Sequence, residues 1–253
     1  MAKVLYRWVG ACAGPGFSAC CFDFERARYT NGPALSIQKD RALLEALLEE
    51  TKPPLPLEAR ELHYLMAAPF RYGAVYPGGS RFRRAGRTPG VFYGAERSRT
   101  AAVEMAFHRV LFFAESPKTP WPANPGEFTA FDVPVRTSAA LDLMSAPLDR
   151  DRAAWTQPCD YGPCQTLAQS AREAGIVVIR YESLRNPAKG ANLALLSPAP
   201  FVGRSPKKAE TWRIRLGPFG AQVIREFPRE RIEYRTDAFE QDPRLEAMIW
   251  NRG

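Results

Sequence analysis

One segment, SRTAAVEMAFHRVLFF at residues 98–113, constrains the fold of this chain more than any other part of its sequence. It contains no glycine or proline and is apolar on nearly every side, a pattern typical of a helix packed deep inside a domain. Ser98 is the predicted N-cap. The polar exceptions beyond the first turn are Glu104, His108 and Arg109. The fold therefore has to surround this helix and still accommodate a carboxylate on it.

The rest of the chain contains too many turn-forming residues for a simple helical bundle. Its 253 residues include 18 glycines and 23 prolines, a share above the average for globular proteins. Apolar residues make up 45% and charged residues 25%, so the chain is expected to fold around a buried core. The length fits one large domain or two small ones, and neither a linker nor an internal repeat divides it.

Short apolar runs between turn signals predict the other elements. Strands are predicted over residues 3–9, 91–93, 127–135, 176–181, 192–196 and 211–216. Helices are predicted over residues 38–51, over 57–66 ending before Pro69, and within 153–174 ending at Gly175. The first strand is preferred to a signal peptide because Arg7 interrupts its apolar run. The segment up to Pro33 is predicted to be a loop with one short strand, and the chain beyond residue 216 to consist of polar, charged segments.

Charge and cysteine usage indicate the kind of partner and the compartment. Lys and Arg outnumber Asp and Glu by 35 to 27, and the net charge of +8 favours an anionic partner: nucleic acid, a phosphorylated small molecule or an acidic protein. Five cysteines at unpatterned positions form no disulfide framework, so we expect a cytoplasmic protein. Cys159 and Cys164 lack a second pair of ligands, so we expect no metal site. No apolar run is long enough to span a bilayer, so we expect no membrane association.

Glu104 is the most informative single residue. A carboxylate on a helix that is apolar on nearly every side either reaches solvent at an edge or is kept for a purpose. In the simpler interpretation, Glu104 and His108 form an i,i+4 pair on a thin exposed stripe, worth a few tenths of a kcal/mol. In the functional interpretation, Glu104 lies in a site.

The segment 78–87 holds four arginines among glycines, and Arg97 and Arg99 follow the next predicted strand. Guanidinium groups match phosphate oxygens, and glycines let backbone N–H groups approach the same anion. The segment is therefore a pyrophosphate site, a solvated basic loop or a nucleic-acid contact patch. The last interpretation lacks a helix-turn-helix, zinc finger or RRM signature to support it. The four arginines are Arg81, Arg83, Arg84 and Arg87.

Ser183 lies in the turn after a predicted buried strand, where side chains often project into a site. No G-x-S-x-G elbow surrounds it, and the chain has only two histidines, His63 and His108, which argues against a serine-hydrolase triad. A Walker A loop, a G-x-G-x-x-G fingerprint and an H-E-x-x-H helix are also absent from the sequence.

Taken together, the segments GSRFRRAGRTPGVFYGAERSRTAAVE and IRYESLRNPAKGANLAL resemble the RES domain family. In that family an arginine–aromatic pair after glycine leads to a strand tyrosine, then to a helix glutamate, and much later to a serine in a Y-x-S-x-R-like turn with a following asparagine. The matching positions are Arg81 with Phe82, Tyr93, Glu104, Ser183, Arg185 and Asn192. The G-R-W-N-like box of the family is Ser80-Arg81-Phe82-Arg83 here, so arginine stands in place of its asparagine.

The resemblance implies an ADP-ribosyltransferase-like fold, a mixed α+β domain with a central cleft that binds NAD as substrate and needs no metal. RES proteins are commonly toxins of bacterial toxin–antitoxin pairs. They consume NAD by hydrolysis or phosphorolysis, or transfer ADP-ribose to a protein target, and their partner is typically an antitoxin with an Xre-type DNA-binding domain. The resemblance covers roughly residues 70–197 and leaves about the first 65 and the last 50 residues uncovered. We expect residues 66–200 to form the RES core, residues 1–65 an N-terminal extension packed on it, and residues 201–253 the C-terminal strands and tail of the same domain.

The resemblance also implies roles for individual residues. Glu104 would stabilise an oxocarbenium-like state, as carboxylates do in glycoside hydrolysis, while Arg81 or Arg83 would grip a phosphate. Tyr93 would flank the nicotinamide ring, and Ser183 and Asn192 would contribute hydrogen bonds to the NAD site. Three alternatives stay open: an ADP-ribosyltransferase acting on a protein, a ligand-binding member without catalysis, and a basic nucleic-acid-associated protein.

Overall fold

The computed structural model describes residues 17–24, 54–71, 79–86, 88–240 and 242–252. The strand predicted over residues 3–9 and the helix predicted over residues 38–51 lie outside the described residues. The described strands are β1 (Phe17–Phe24), β2 (Phe92–Ala95), β3 (Gly126–Val135), β4 (Ala140–Asp142), β5 (Val178–Glu182), β6 (Ala191–Leu195), β7 (Ala209–Gly217), β8 (Gly220–Arg225) and β9 (Glu230–Tyr234). The α-helices are α1 (Tyr64–Arg71), α2 (Ser98–Ala114), α3 (Arg152–Trp155), α4 (Gly162–Glu173) and α5 (Asp237–Glu240). Short 3-10 helices cover Leu57–Ala59, Leu148–Asp151 and Pro243–Leu245.

The strands form one sheet with the order β4-β5-β6-β2-β1-β3-β7-β8-β9. Only β4 and β5 are parallel, and all other neighbours are antiparallel. With helices packed on this sheet, the predicted mixed α+β fold is confirmed. Although β1 comes from the segment predicted as an N-terminal extension, it pairs with β2 and β3 in the middle of the sheet. The predicted domain boundaries at residues 65 and 200 stay predictions.

Helices cover both faces of the sheet, as the alternation of buried side chains shows. On β3, Phe128 and Ala130 pack with α2, whereas Phe131, Val133 and Val135 belong to the core under α1. Because neighbouring residues of a strand point to opposite faces, α1 lies on one face and α2 on the other. On β6 the side chains also alternate between the two faces. One set belongs to the hydrophobic core under α1, and the other set belongs to a separate core that packs against α4. Helices α2 and α4 thus share a face.

Helix α2 is as deeply packed as the sequence predicts. Its alanines and valines lie against the sheet, and Phe107 and Phe113 are also buried. The predicted cap is wrong by one residue: Arg97 occupies the N-cap position without a capping side-chain bond, and Ser98 is the first helical residue. Packing of the apolar surface therefore stabilises this helix without help from a capping side chain.

The helix predicted over residues 57–66 is wrong in its bounds. A 3-10 helix at Leu57–Ala59 precedes α1, and Pro69 lies inside α1 instead of following a helix end. Tertiary packing outweighs the helix-breaking tendency of Pro69, because the buried side chains of Met66 and Phe70 pack α1 onto the core. Gly90 packs directly on this helix: a Cβ there would lie 1.9 Å from the carbonyl oxygen of Pro69.

The other predicted strands are confirmed with shifts of at most two residues at their ends, and they correspond to β2, β3, β5, β6 and β7. The helix predicted within residues 153–174 is confirmed as α4, which begins at Gly162 after the separate short helix α3. Gly175 follows the end of α4 with φ +76°, the left-handed conformation expected of a terminating glycine. The predicted polar tail instead contains β8 and β9. The sequence reads as polar here because β9 is an edge strand. Its outward-facing residues, such as Arg231 and Glu233, are charged and make the segment look like a polar tail. In the described part of the chain, no helix is long and apolar enough to cross a membrane.

Candidate active site

A cavity of ≈ 400 Å³ opens on the face of the sheet that carries α2 and α4. This volume is typical of a small-molecule site. Strands β2, β5 and β6 form its floor, α2 forms one wall, and the segment before α4 forms another. The residues used below that line it are Ser80, Arg81, Tyr93, Glu104, His108, Tyr161, Tyr181, Arg185, Asn192 and Arg244.

Glu104 enters this cavity from α2 and is held by two donors. The hydroxyl of Ser183 donates to Glu104 Oε1 over 2.6 Å, and the side-chain amide of Asn192 donates to the same oxygen over 2.8 Å. Among the described residues Oε2 has no hydrogen-bond partner. No ion pair joins Glu104 to His108, so the surface-pair interpretation does not describe this carboxylate. Glu104 is fixed through one oxygen and keeps the other for a ligand.

The turn that carries Ser183 is clamped onto α2. Asn186 donates to Thr100 Oγ1 over 2.9 Å, one helical turn before Glu104. Gly190 allows the close approach, since a Cβ there would lie only 2.2 Å from Thr100 Oγ1. Ser183 itself is 2% exposed, does not line the cavity, and accepts a hydrogen bond from the Asn186 N–H. The structure therefore places Ser183 behind Glu104.

Asn192, on β6, does reach the cavity. It is 4% exposed, and its Oδ1 is a buried acceptor that has no hydrogen-bond partner in the described structure. Because a buried polar atom without a partner is costly, this oxygen is a candidate for binding a hydroxyl group of a ligand. Asn192 thus connects the carboxylate of Glu104 to an open acceptor.

Arg81 is presented by a rigid turn. The hydroxyl of Tyr93 accepts a hydrogen bond from the Phe82 N–H (3.1 Å) and bonds to Ser80 Oγ (2.8 Å). From α4, the amide of Gln165 donates to the carbonyl oxygens of Ser80 and Arg83, both over 3.1 Å. These contacts also explain Tyr93: its hydroxyl holds the turn, and its ring faces the cavity.

The guanidinium of Arg81 is tethered but its charge is not neutralised. It donates to the carbonyl oxygens of Trp155 (2.7 Å) and Gln157 (3.0 Å), and lies 4.8 Å from the centre of the Tyr161 ring. No carboxylate of the described residues forms an ion pair with it. Arg81 therefore supplies a positioned positive charge at the cavity.

The other arginines of the predicted basic loop are placed elsewhere. Arg83 does not line the cavity, and its backbone pairs with Ser80. Arg84 donates to Thr166 on the outside of α4, and Arg99 forms an ion pair with Glu230. Arg97 is exposed, and Arg87 lies outside the described residues. Of the predicted site residues, the structure brings Arg81, Tyr93, Glu104 and Asn192 to the cavity, Ser183 directly behind it, and leaves Arg83 apart.

Two arginines at the cavity share one carboxylate. Arg185 follows β5, and its Nη1 lies 2.5 Å from Asp242 Oδ2. Arg244, which the sequence did not single out, donates through Nε and Nη2 to the two oxygens of Asp242 (2.9 and 3.0 Å). Burial by itself raises the pKa of Asp242, but the hydrogen bond from Arg244 and the charges of both arginines lower it further than burial raises it. The cluster is fully ionised at neutral pH and has one excess positive charge.

Burial also sets the protonation of the rings around Glu104. It raises the pKa of Tyr93 and raises that of Tyr181 strongly, with the charge of Glu104 adding to the shift at Tyr181. Both phenols are therefore neutral hydrogen-bonding groups.

No group of three or more His, Cys, Asp or Glu side chains among the described residues is arranged to hold a metal ion. The two cysteines closest to a pair of metal ligands in the sequence are placed differently: Cys159 is exposed, whereas Cys164 is buried in the core beside Arg81.

Comparison with known proteins identifies the family of the chain. The model of the RES domain matches residues 55–217. The chain belongs to the RES domain family. No curated protein matches it. A chain in the crystal structure of the M. tuberculosis MbcT–MbcA toxin–antitoxin complex is 14% identical, with a TM-score of 0.41, over 77% of this chain and 84% of that one.

The RES match includes every residue predicted for the site: Arg81, Arg83, Tyr93, Glu104, Ser183 and Asn192. Asp242 and Arg244 lie beyond its end at residue 217. The only local signal for them is Asp-Pro-Arg, with aspartate as N-cap and proline as the first residue of a short helix, which the 3-10 helix at Pro243–Leu245 bears out. That signal predicts a helix start and carries no information about a cavity.

Proposed function

We propose that this RES protein consumes NAD by cleaving the bond between nicotinamide and ribose, with water or inorganic phosphate as acceptor. The observation that carries the proposal is the state of Glu104. This carboxylate projects from an otherwise apolar helix into a cavity, one of its oxygens is held by Ser183 and Asn192, and the other is open. Family membership supports NAD as the substrate.

The reaction breaks the C1′–N1 bond of the nicotinamide riboside, and nicotinamide leaves neutral with the bonding electron pair. Positive charge then develops on C1′ and the ring oxygen, and a nearby fixed carboxylate stabilises it. Glu104 is suited to this role because Ser183 and Asn192 hold it in place before the substrate arrives. Water then attacks C1′ and releases its proton to the solvent, or an anionic phosphate oxygen attacks C1′ directly.

Other cavity residues have roles that follow from their contacts. Glu104 Oε2 and Asn192 Oδ1 accept no hydrogen bond from the described residues, which suits them to hold ribose hydroxyl groups. The ring of Tyr93 offers an aromatic surface for nicotinamide. Arg81 attracts the phosphates, and Ser183, which does not reach the cavity, acts as a positioning residue for Glu104.

The test is release of nicotinamide from NAD by the purified chain and by a Glu104→Gln variant. Glutamine can keep the hydrogen bonds from Ser183 and Asn192 through its carbonyl oxygen, so the fold should survive while the negative charge is lost. We expect the rate to fall at least about 100-fold. The matched control is Glu115→Gln, because Glu115 is an exposed carboxylate at the C-terminal end of the same helix.

A variant Glu104→Gln that releases nicotinamide at the wild-type rate would contradict the proposal. Product analysis with and without inorganic phosphate identifies the acceptor: free ADP-ribose indicates water, and a phosphorylated ADP-ribose indicates phosphate. Transfer of ADP-ribose to a protein would point to the transferase activity instead.

Family membership also supports an antitoxin partner, which we propose to carry an Xre-type DNA-binding domain and to block this cavity. The expected result is that co-expression with the cognate antitoxin suppresses nicotinamide release. Full activity of the co-purified complex would argue against a blocked cavity.

A further inference from the structure

Three arginines from distant parts of the chain converge on one side of the cavity. Arg81 comes from the turn before β2, Arg185 from the turn after β5, and Arg244 from the C-terminal segment. Tyr161 lies among them: its ring faces Arg81, and it interacts electrostatically with both other arginines. The second and third arginines also lie over the ring of Phe107, 3.9 and 5.3 Å from its centre.

The charges in this group do not balance. Asp242 is the single carboxylate that forms ion pairs with these arginines among the described residues, and it is 2% exposed. Three guanidinium groups and one carboxylate leave an excess of two positive charges. A pyrophosphate that joins two nucleosides carries about two negative charges. The excess positive charge of these four side chains therefore favours such a group, and Glu104, which acts electrostatically on Arg185 from the same cavity, forms no ion pair with the three arginines.

Arg244 has donors to spare. An arginine carries five N–H donors in a planar fork, and Arg244 uses those on Nε and one on Nη2 to bind Asp242. Its Nη1 contacts no acceptor in the described part of the chain. Asp242 is a positioning residue here, since it fixes the plane of the guanidinium and leaves one edge of it for a ligand.

The C-terminal segment is fastened to the helix that bears Glu104. Arg252 donates to the carbonyl oxygen of Phe113 in the last turn of α2 (2.7 Å) and to that of Ser116 just after the helix (2.9 Å). The indole N–H of Trp121 donates to the Trp250 carbonyl oxygen over 2.9 Å. The segment is thus held at this end by Arg252 and at the cavity by Asp242, which keeps Arg244 in place.

We infer that Arg244, oriented by Asp242 and acting with Arg185 and Arg81, binds the pyrophosphate of a dinucleotide substrate, so that the segment beyond the RES match completes the site. The inference rests on the proposed function for its substrate class. It places a substrate-binding residue outside the segment that matches the RES family. It also explains why the C-terminal segment packs on α2.

Calorimetric titration of the purified full chain tests this inference directly. The probes are ADP-ribose and ADP, which contain the pyrophosphate, and adenosine, which lacks it. We expect Arg244→Gln to weaken binding of ADP-ribose and ADP by about 10- to 100-fold, the range for lost hydrogen bonds to a charged group, and to leave adenosine binding unchanged. Arg215→Gln, at an exposed arginine of β7 outside the cavity, should stay within about twofold of wild type for every probe.

Wild-type affinity of Arg244→Gln for ADP-ribose would overturn the inference, as would a wild-type chain that binds ADP-ribose no better than adenosine. Thermal unfolding shows whether Arg244→Gln is folded. If it is not, Arg244→Lys decides, because lysine keeps the charge beside Asp242 but lacks the fork; several-fold weaker ADP-ribose binding supports the inference, and unchanged binding overturns it.

The inference and the proposed function fail in different ways. A wild-type chain that binds ADP-ribose through Arg244 but releases no nicotinamide from NAD would refute the cleavage reaction and leave the pyrophosphate site standing. Release of nicotinamide with the same KM for NAD in wild type and Arg244→Gln would refute the pyrophosphate site and leave the reaction standing.

Discussion

Two clusters of three charged side chains have opposite excess charge. At the cavity, Asp242 is shared by Arg185 and Arg244, which leaves one positive charge over. On β5, Arg180 forms ion pairs with two carboxylates: its Nε lies 2.6 Å from Glu96 Oε1, and its Nη1 lies 3.1 Å from Asp142 Oδ2. This cluster therefore has one excess negative charge. Both clusters connect segments far apart in the sequence. The sign of the excess charge distinguishes an anion-binding cluster from one that joins strands.

The partners that remain after one charge is removed also differ. Asp142 accepts hydrogen bonds from the Met144 N–H and the Ser145 hydroxyl, so it stays partnered without Arg180. Arg185 has an 11% exposed side chain, and its partners among the described residues besides Asp242 and the Phe107 ring are limited to the Pro158 carbonyl oxygen at 3.5 Å. Loss of the shared group should therefore cost more at the cavity cluster than on β5.

The largest effect on stability is expected from Asp242→Asn. This change leaves two guanidinium groups together, one of them largely buried, and such a loss typically costs about 3 kcal/mol or more. Asparagine can still cap the short helix that starts here, so the change isolates the charge. Denaturant unfolding measures it. A loss below about 1 kcal/mol would show that Asp242 does not hold the arginines together.

The pH dependence of this loss sharpens the comparison. Because the pKa of Asp242 is lower in the folded than in the unfolded chain, its ionisation stabilises the fold above its unfolded pKa of about 4. That stabilisation is lost as the pH falls below this value through the folded pKa. We expect the stability difference between wild type and Asp242→Asn to be constant near neutral pH and to shrink below about pH 4. A difference that persists at lower pH would assign the effect to packing.

The smallest effect is expected from Arg180→Gln. All three groups of that cluster are partly exposed and Asp142 keeps other partners, so we expect a loss of about 1 kcal/mol in unfolding free energy. Since Arg180 does not line the cavity, the KM for NAD should stay within about twofold of wild type. A large increase in KM would mean that the β5 cluster also shapes the site, and the contrast between the clusters would fail.

Much of the site could be predicted because its residues lie in strong local patterns. Helix α2 has no breaking residue, so its burial was predictable and Glu104 stood out as its internal carboxylate. Tyr93 and Asn192 lie on β2 and β6, whose short apolar runs between turn residues predict strands. The spacing of these residues resembles the RES family, and the family match confirms that resemblance.

Contacts between distant segments were not predictable from those patterns. Composition suggested that any arginine of the loop 81–87 could bind phosphate, but the fixed turn of residues 80–83 turns Arg81 alone of the described ones toward the cavity. Ser183 was predicted to touch the ligand, whereas the clamp between Asn186 and Thr100 places it behind Glu104.

The sequence by itself determined the kinds of elements, the burial of α2 and the residues that make the chain a RES protein, because these depend on local periodicity and on ordered motifs. Only the tertiary structure decided which charges face the cavity. Arg81, Arg185 and Arg244 are more than 160 positions apart in the chain at their extremes, and no local pattern records that packing of the C-terminal segment on α2 brings them together. Whether a charge is neutralised or left for a ligand depends on which partner lies within a few ångströms, and the fold alone sets that distance.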